Sequence, residues 1–163
     1  MHLKNQTAFT MLELVFVIVI IGILSAVAIP KFAATRDSAV FVKSATTLAA
    51  VRSSIAMERQ KRILRGIFGG ITDLDADPVA GRMFTTFNDP PAPNSIPAAQ
   101  REVLQYTVEG GNGDGQWSKV GSVYTAFFKN GRGCSFTLGA NRLTLTAGVG
   151  GMTLGRCQEI FEN

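Results

Sequence analysis

The chain has 163 residues, a one-domain length, with 46% hydrophobic residues, 17% charged residues and a formal net charge of +4. That balance is too apolar for a disordered chain and fits a globular domain carrying an additional greasy segment. One histidine, His2, and two cysteines far from it leave almost no material for a Cys/His nucleophile or a zinc site, so no enzyme is expected.

The greasy segment comes first. Glu13 is the only charged residue between Phe9 and Ile29, a run of 21 residues. As a helix it would cover about 31 Å, roughly one hydrocarbon thickness, so it reads as a membrane span. Lys4 precedes it, and the positive-inside tendency then keeps the first eight residues cytoplasmic and exports the bulk, although Lys31 and Arg36 on the far side weaken that bias. A carboxylate at bilayer depth is costly without a counter-charge, so Glu13 needs a partner. Gly22 and Pro30 weaken helices, and an interruption by kinking or local opening is expected there.

Past Pro30 the helical pattern continues. Phe41, Ala45, Leu48, Val51 and Ile55 recur at spacings of three and four, which puts them on one face where a globular head would pack. Arg59, Lys61, Arg62 and Arg65 then crowd the negative end of the helix, and Gly66 stops it. Dipole and solvent explain these cations more simply than a nucleic-acid patch, which is the less favoured reading. Residues 31–65 carry eight basic against two acidic residues, a net +6, whereas residues 66–163 carry seven against nine, a net −2. The positive charge therefore belongs to the stretch beside the membrane, where anionic headgroups or acidic neighbours could meet it.

From 67 to 102 the chain reads as a connecting loop at the surface, with Pro90, Pro91, Pro93 and Pro97 opposing regular hydrogen bonding. Strand-like runs follow at 103–108, 116–120, 122–128, 134–138 and 142–147, separated by the turn signals GGNGDG, KNGRG and GAN. An antiparallel meander of three to five strands would bury one face on the Phe41 to Ile55 stripe. Asp73, Asp75 and Asp77 alternate as an EF-hand loop begins, but Pro78 stands in place of the required glycine and Phe84 in place of the closing glutamate. Asn112 and Asp114 offer a weak calcium site in what is more simply a hairpin loop, and no other cofactor is expected. If the C-terminal part is exported, its cysteines, Cys134 and Cys157, favour one disulfide, with two buried thiols as the alternative.

A short basic leader, then Ala8, then Phe9-Thr10-Met11-Leu12-Glu13 and about sixteen apolar residues ending at Pro30 resemble the class III signal of type IV pilins and type II secretion pseudopilins. The resemblance implies cleavage between Ala8 and Phe9 by a prepilin peptidase, N-methylation of Phe9, and pairing of Glu13 with the terminal amine of a neighbouring subunit. Ala8 stands where the family usually has glycine. An α+β fold is implied: a cleaved leader at 1–8, an assembly helix at 9–29, an amphipathic periplasmic helix at 30–66, the loop at 67–102 and a sheet head with a terminal disulfide region at 103–163. The stretch around Gly22 and Pro30 is often unwound in such filaments.

The partners implied are further copies of the chain and related pilins, the peptidase and methyltransferase, an inner-membrane assembly platform and the membrane itself. Secretion pseudopilus, type IV pilus and competence filament for DNA uptake remain open, as does the rank of major or minor subunit, although Glu13 argues against tip-type minor subunits. A rival of another class uses Ala26-Val27-Ala28 as an ordinary secretory cleavage site after a Leu14 to Leu24 h-region, which would release a soluble exported binding domain beginning at Ile29.

Overall fold

The computed structural model describes residues 9–139 and 141–162 and contains two compact units, one ending at Ser38 and the other beginning at Ala39. A single helix, α1 (Met11–Leu64), runs through both. It continues through Gly22 and Pro30 without the local opening expected at these residues. A proline forfeits one backbone hydrogen bond and crowds the turn before it, at a cost of about 3 kcal/mol, and a glycine costs about 1 kcal/mol. Long runs of Ile, Leu, Val and Ala on both sides let cooperative helix propagation absorb those penalties.

The other end of α1 follows its sequence signal. Gly66 adopts a φ of 75°, its N–H donates to the Ile63 carbonyl (2.9 Å), and the Ile67 N–H donates to the Arg62 carbonyl (2.8 Å). These two bonds form a Schellman cap, which needs a residue tolerant of left-handed backbone at this position.

In the second unit, α1 contributes Leu48, Val51 and Ile55 to the core, and Phe41 packs at its edge. The sheet is a four-stranded antiparallel meander of β3 (Trp117–Val120), β4 (Val123–Phe127), β5 (Gly133–Gly139) and β6 (Arg142–Val149), in sequential order. Alternation places Tyr124 and Ala126 inward on β4. The β3–β4 hairpin pairs Val120 with Val123 across Gly121 and Ser122, with Gly121 at a φ of 59°. In the interior Phe84 lies edge-on to Trp117 at 5.1 Å between centroids and stacks on Tyr124 at 5.5 Å, while Trp117 meets Phe136 at 5.7 Å.

Three expectations need correction. The run at 103–108 supplies only β2 (Val108–Glu109), which pairs with β1 (Arg82–Met83) in a separate two-stranded ladder. Residues 67–102 are no mere surface connection: Ile67, Ile71, Leu74, Met83, Phe84, Phe87 and Ile96 are buried. Ile67, Ile71 and Leu74 recur at spacings of four and three, and Met83 and Phe87 at four, yet the segment forms no α-helix, so spacing alone does not show how these residues pack. A second helix, α2 (Leu154–Phe161), follows the last strand, where the sequence reading places no element; Thr153 caps it by accepting from the Arg156 N–H at 3.3 Å. Its Phe161 packs edge-on against Phe136 at 5.0 Å.

Candidate assembly site

The start of α1 is built by two side chains. The Glu13 N–H donates to Thr10 Oγ1 at 3.2 Å, and the Thr10 N–H donates back to Glu13 Oε2 at 3.0 Å. The Thr10 hydroxyl donates to the same carboxylate oxygen at 3.0 Å. This is a reciprocal capping box, in which Thr-x-x-Glu satisfies orphan donors at a helix start while the carboxylate faces the positive end of the helix dipole. Thr10 is the residue that sequence reasoning passed over, although the Thr10-Met11-Leu12-Glu13 spacing carried the signal. Among the described residues, Glu13 Oε1 accepts no hydrogen bond. Phe9 is exposed and directly precedes the box, whereas the cleavage position Ala8 lies outside the described residues.

Beyond Glu13 the first unit presents a continuous apolar surface. Leu14, Phe16, Ile18, Ile21, Ile23, Leu24, Ile29 and Phe32 are all exposed, and α1 is the one described helix long and apolar enough to cross a membrane. Residues 3–29 match the family described as the prokaryotic N-terminal methylation motif. The N-terminal segment carries this methylation motif. The chain is also 51% identical over 49 residues to the type IV narrow pilus major component PilA5 of Thermus thermophilus. That match covers 30% of this chain and 42% of the relative, so the chain spans less than half of the relative's length. No solved structure matches the chain.

The remaining residues singled out in the sequence fall in the second unit. Cys134 on β5 and Cys157 on α2 are joined in a buried disulfide with a Cα–Cα distance of 5.8 Å. Asn112 and Asp114 are exposed in the β2–β3 loop, where Gln116 Oε1 accepts from the Gly113 N–H at 2.8 Å. Among the described residues no cluster of three or more His, Cys, Asp or Glu side chains is placed to hold a metal.

The basic run is not simply solvated. Arg62 is buried, with Nε donating to Glu58 Oε1 at 2.9 Å and Nη2 to the Asn88 carbonyl at 2.6 Å. Arg59 Nη1 donates to the carbonyls of Phe68 (3.2 Å) and Gly69 (3.0 Å). Helix α1 thus uses two of its terminal cations to satisfy the chain that leaves it, which a one-dimensional charge count cannot distinguish from exposure.

The alternating aspartates serve the fold. Asp73 accepts from Lys119, from the Asp75 N–H (2.8 Å) and from the Tyr124 hydroxyl (3.1 Å). Burial alone would raise its pKa, but those donors outweigh it and hold the carboxyl below its usual range. Tyr124 is pushed up, chiefly by burial. Asp77 pairs with Arg101 at 3.1 Å, and the N–H of Ile96 together with the Ser95 hydroxyl keeps Asp89 below its ordinary value.

Proposed function

We propose that the chain is a structural, non-catalytic subunit of a type IV filament, either a pilin or a type II secretion pseudopilin. Residues 9–29 would hold it in the inner membrane with its N-terminus cytoplasmic and its head periplasmic, before assembly into a periplasmic or extracellular filament. The observation that carries this reading is the exposed apolar half of α1, whose one carboxylate sits a single turn from the start of the helix.

Cleavage between Ala8 and Phe9 by a prepilin peptidase would free the Phe9 amine, which N-methylation leaves basic. Glu13 of one copy would then meet that amine on a neighbouring copy, and the paired charges would tolerate low dielectric where a lone carboxylate would not. Thr10 already holds Glu13 Oε2, so Oε1, which accepts no hydrogen bond from the described residues, would be the oxygen offered across the subunit boundary. Other copies, related pilins and an inner-membrane assembly platform are the partners in this reading; a competence filament or a minor subunit would use the same N-terminal chemistry.

Glu13→Gln tests the pairing better than Glu13→Ala, because Gln keeps an acceptor for the capping box and removes only the charge. The variant is expected to insert, to be processed to a chain starting at methylated Phe9, and to enter filaments poorly relative to membrane-retained subunit. Filament recovered at the parental level would refute the intersubunit pair. A mature parental chain starting at Ile29 would instead establish the secretory alternative.

A further inference from the structure

We propose that Asp75 is a proton-binding centre that tightens the attachment of residues 71–77 to the rest of the head when the surroundings turn acidic. Its backbone neighbours are already stitched to the sheet: the Leu74 N–H donates to the Tyr124 hydroxyl at 2.9 Å, and Asp73 is held by Lys119 and Tyr124. Asp75 Oδ1 accepts from both the Thr85 N–H (3.0 Å) and the Thr85 hydroxyl (3.3 Å). The single proton of the Thr85 hydroxyl is shared between that oxygen and the Asp77 carbonyl at 3.0 Å, so through its N–H and its hydroxyl one threonine reaches two points of the segment.

The second oxygen sets this carboxyl apart. Asp75 is only 7% exposed, and its Oδ2 is buried with no hydrogen-bond partner. An ionised carboxylate would thus keep one of its oxygens buried with no protein donor to offset the loss of water. A proton on Oδ2 removes that charge and leaves Oδ1 still accepting from Thr85.

The surrounding groups do not imitate this response. The charged and titratable side chains around Asp75 are Asp73 and Asp77 on its own segment, Lys119 on β3, Tyr124 on β4, and Arg101, which reaches Asp77. Asp73 is held ionised and Tyr124 neutral. The one histidine is His2, so no imidazole titrates in the head. Burial pushes the Asp75 carboxyl up to about 6, against an ordinary value of 3.8. A carboxyl raised on folding contributes stability that is complete below its unfolded value and is lost as pH rises through its folded value. The affected window is therefore about pH 4 to 6, with the segment held more tightly on the acidic side.

The test is hydrogen exchange on the full chain in detergent micelles, reading the Leu74 and Thr85 amides as protection factors corrected for intrinsic rates. Protection is expected to be about tenfold greater at pH 5 than at pH 7, and Asp75→Asn is expected to flatten the dependence. A parental chain without the dependence, or an Asn variant that keeps it, would overturn the proposal. Direct titration of the Asp75 carboxyl carbon in the parental chain decides the matter even if the variant does not fold: a midpoint near 6 supports the proton site, and one below 5 removes it.

Discussion

Glycine positions illustrate how much a single atom weighs in this head. A Cβ on Gly150 would lie 2.2 Å from the Gly131 carbonyl oxygen, and Gly150 also holds a φ of 64°. Neither the backbone it would strike nor the left-handed conformation can yield cheaply. Gly155, in the first turn of α2, has nothing within 4 Å of the same atom. Gly150→Ala is accordingly expected to destabilise the head by more than about 1 kcal/mol. Gly155→Ala should be neutral or raise stability by up to about 1 kcal/mol, because it restricts the unfolded chain and favours helix. Thermal unfolding of the two variants beside the parental chain measures both signs, and a Gly150→Ala melting point equal to the parental one would deny the close approach. At this scale the sequence was partly legible. Glu13 announced itself as a charge in apolar surroundings, whereas Thr10 was hidden among hydrophobic neighbours, and the orphan oxygen of Asp75 depends on a fold that no local pattern encodes.

Among the elements, those with a strong period were the ones read correctly. Strand β4 alternates, β3 to β6 are separated by Gly and Asn turns, and α1 carries its stripe at Leu48, Val51 and Ile55. Residues 67–102 form no α-helix despite short three- and four-residue spacings, and many of their backbone groups are satisfied by side chains instead: Asn88 Oδ1 accepts from the Thr72 N–H at 2.9 Å, and Asn141 Oδ1 from the Ile71 N–H at 2.6 Å. The same economy explains the end of α1, where the Glu58–Arg62 pair is almost wholly buried. Truncating Arg62 to Ala would strand the Glu58 carboxylate and the Asn88 carbonyl in a dry site. A loss of about 3–5 kcal/mol is expected. The double variant Glu58→Leu/Arg62→Met should recover much of it, since apolar residues of similar volume need no counter-charge. Denaturant melts of the single and double variants measure the difference, and a double variant as unstable as Arg62→Ala would show that the pair is not the cause.

Across the whole molecule, the apolar residues divide between two environments. Exposed large hydrophobic side chains dominate Phe9 to Phe32, while the most N-terminal residue of the buried core is Leu48. The cluster that holds the head together draws on α1 after Ala39, on residues 71–103, on the sheet and on Cys157 and Phe161 of α2. Among the described residues, no buried core residue comes from the unit that ends at Ser38. The hydrophobic term that stabilises the head should therefore be indifferent to that unit, because burial acts only where side chains leave water. A chain beginning at Ala39 would lose the exposed apolar run and keep Leu48, Val51 and Ile55 on a helix segment of 26 residues ending at Leu64. Docking to the sheet, rather than helix propensity, would keep that segment folded. Such a chain is expected to be soluble without detergent and to unfold within a few degrees of the head in the full-length protein, with the Cys134–Cys157 bridge intact. Calorimetry of both chains in the same buffer makes the comparison. A truncated chain that aggregates, or melts well below the parental head, would mean that residues before Ala39 stabilise the core by a route other than burial.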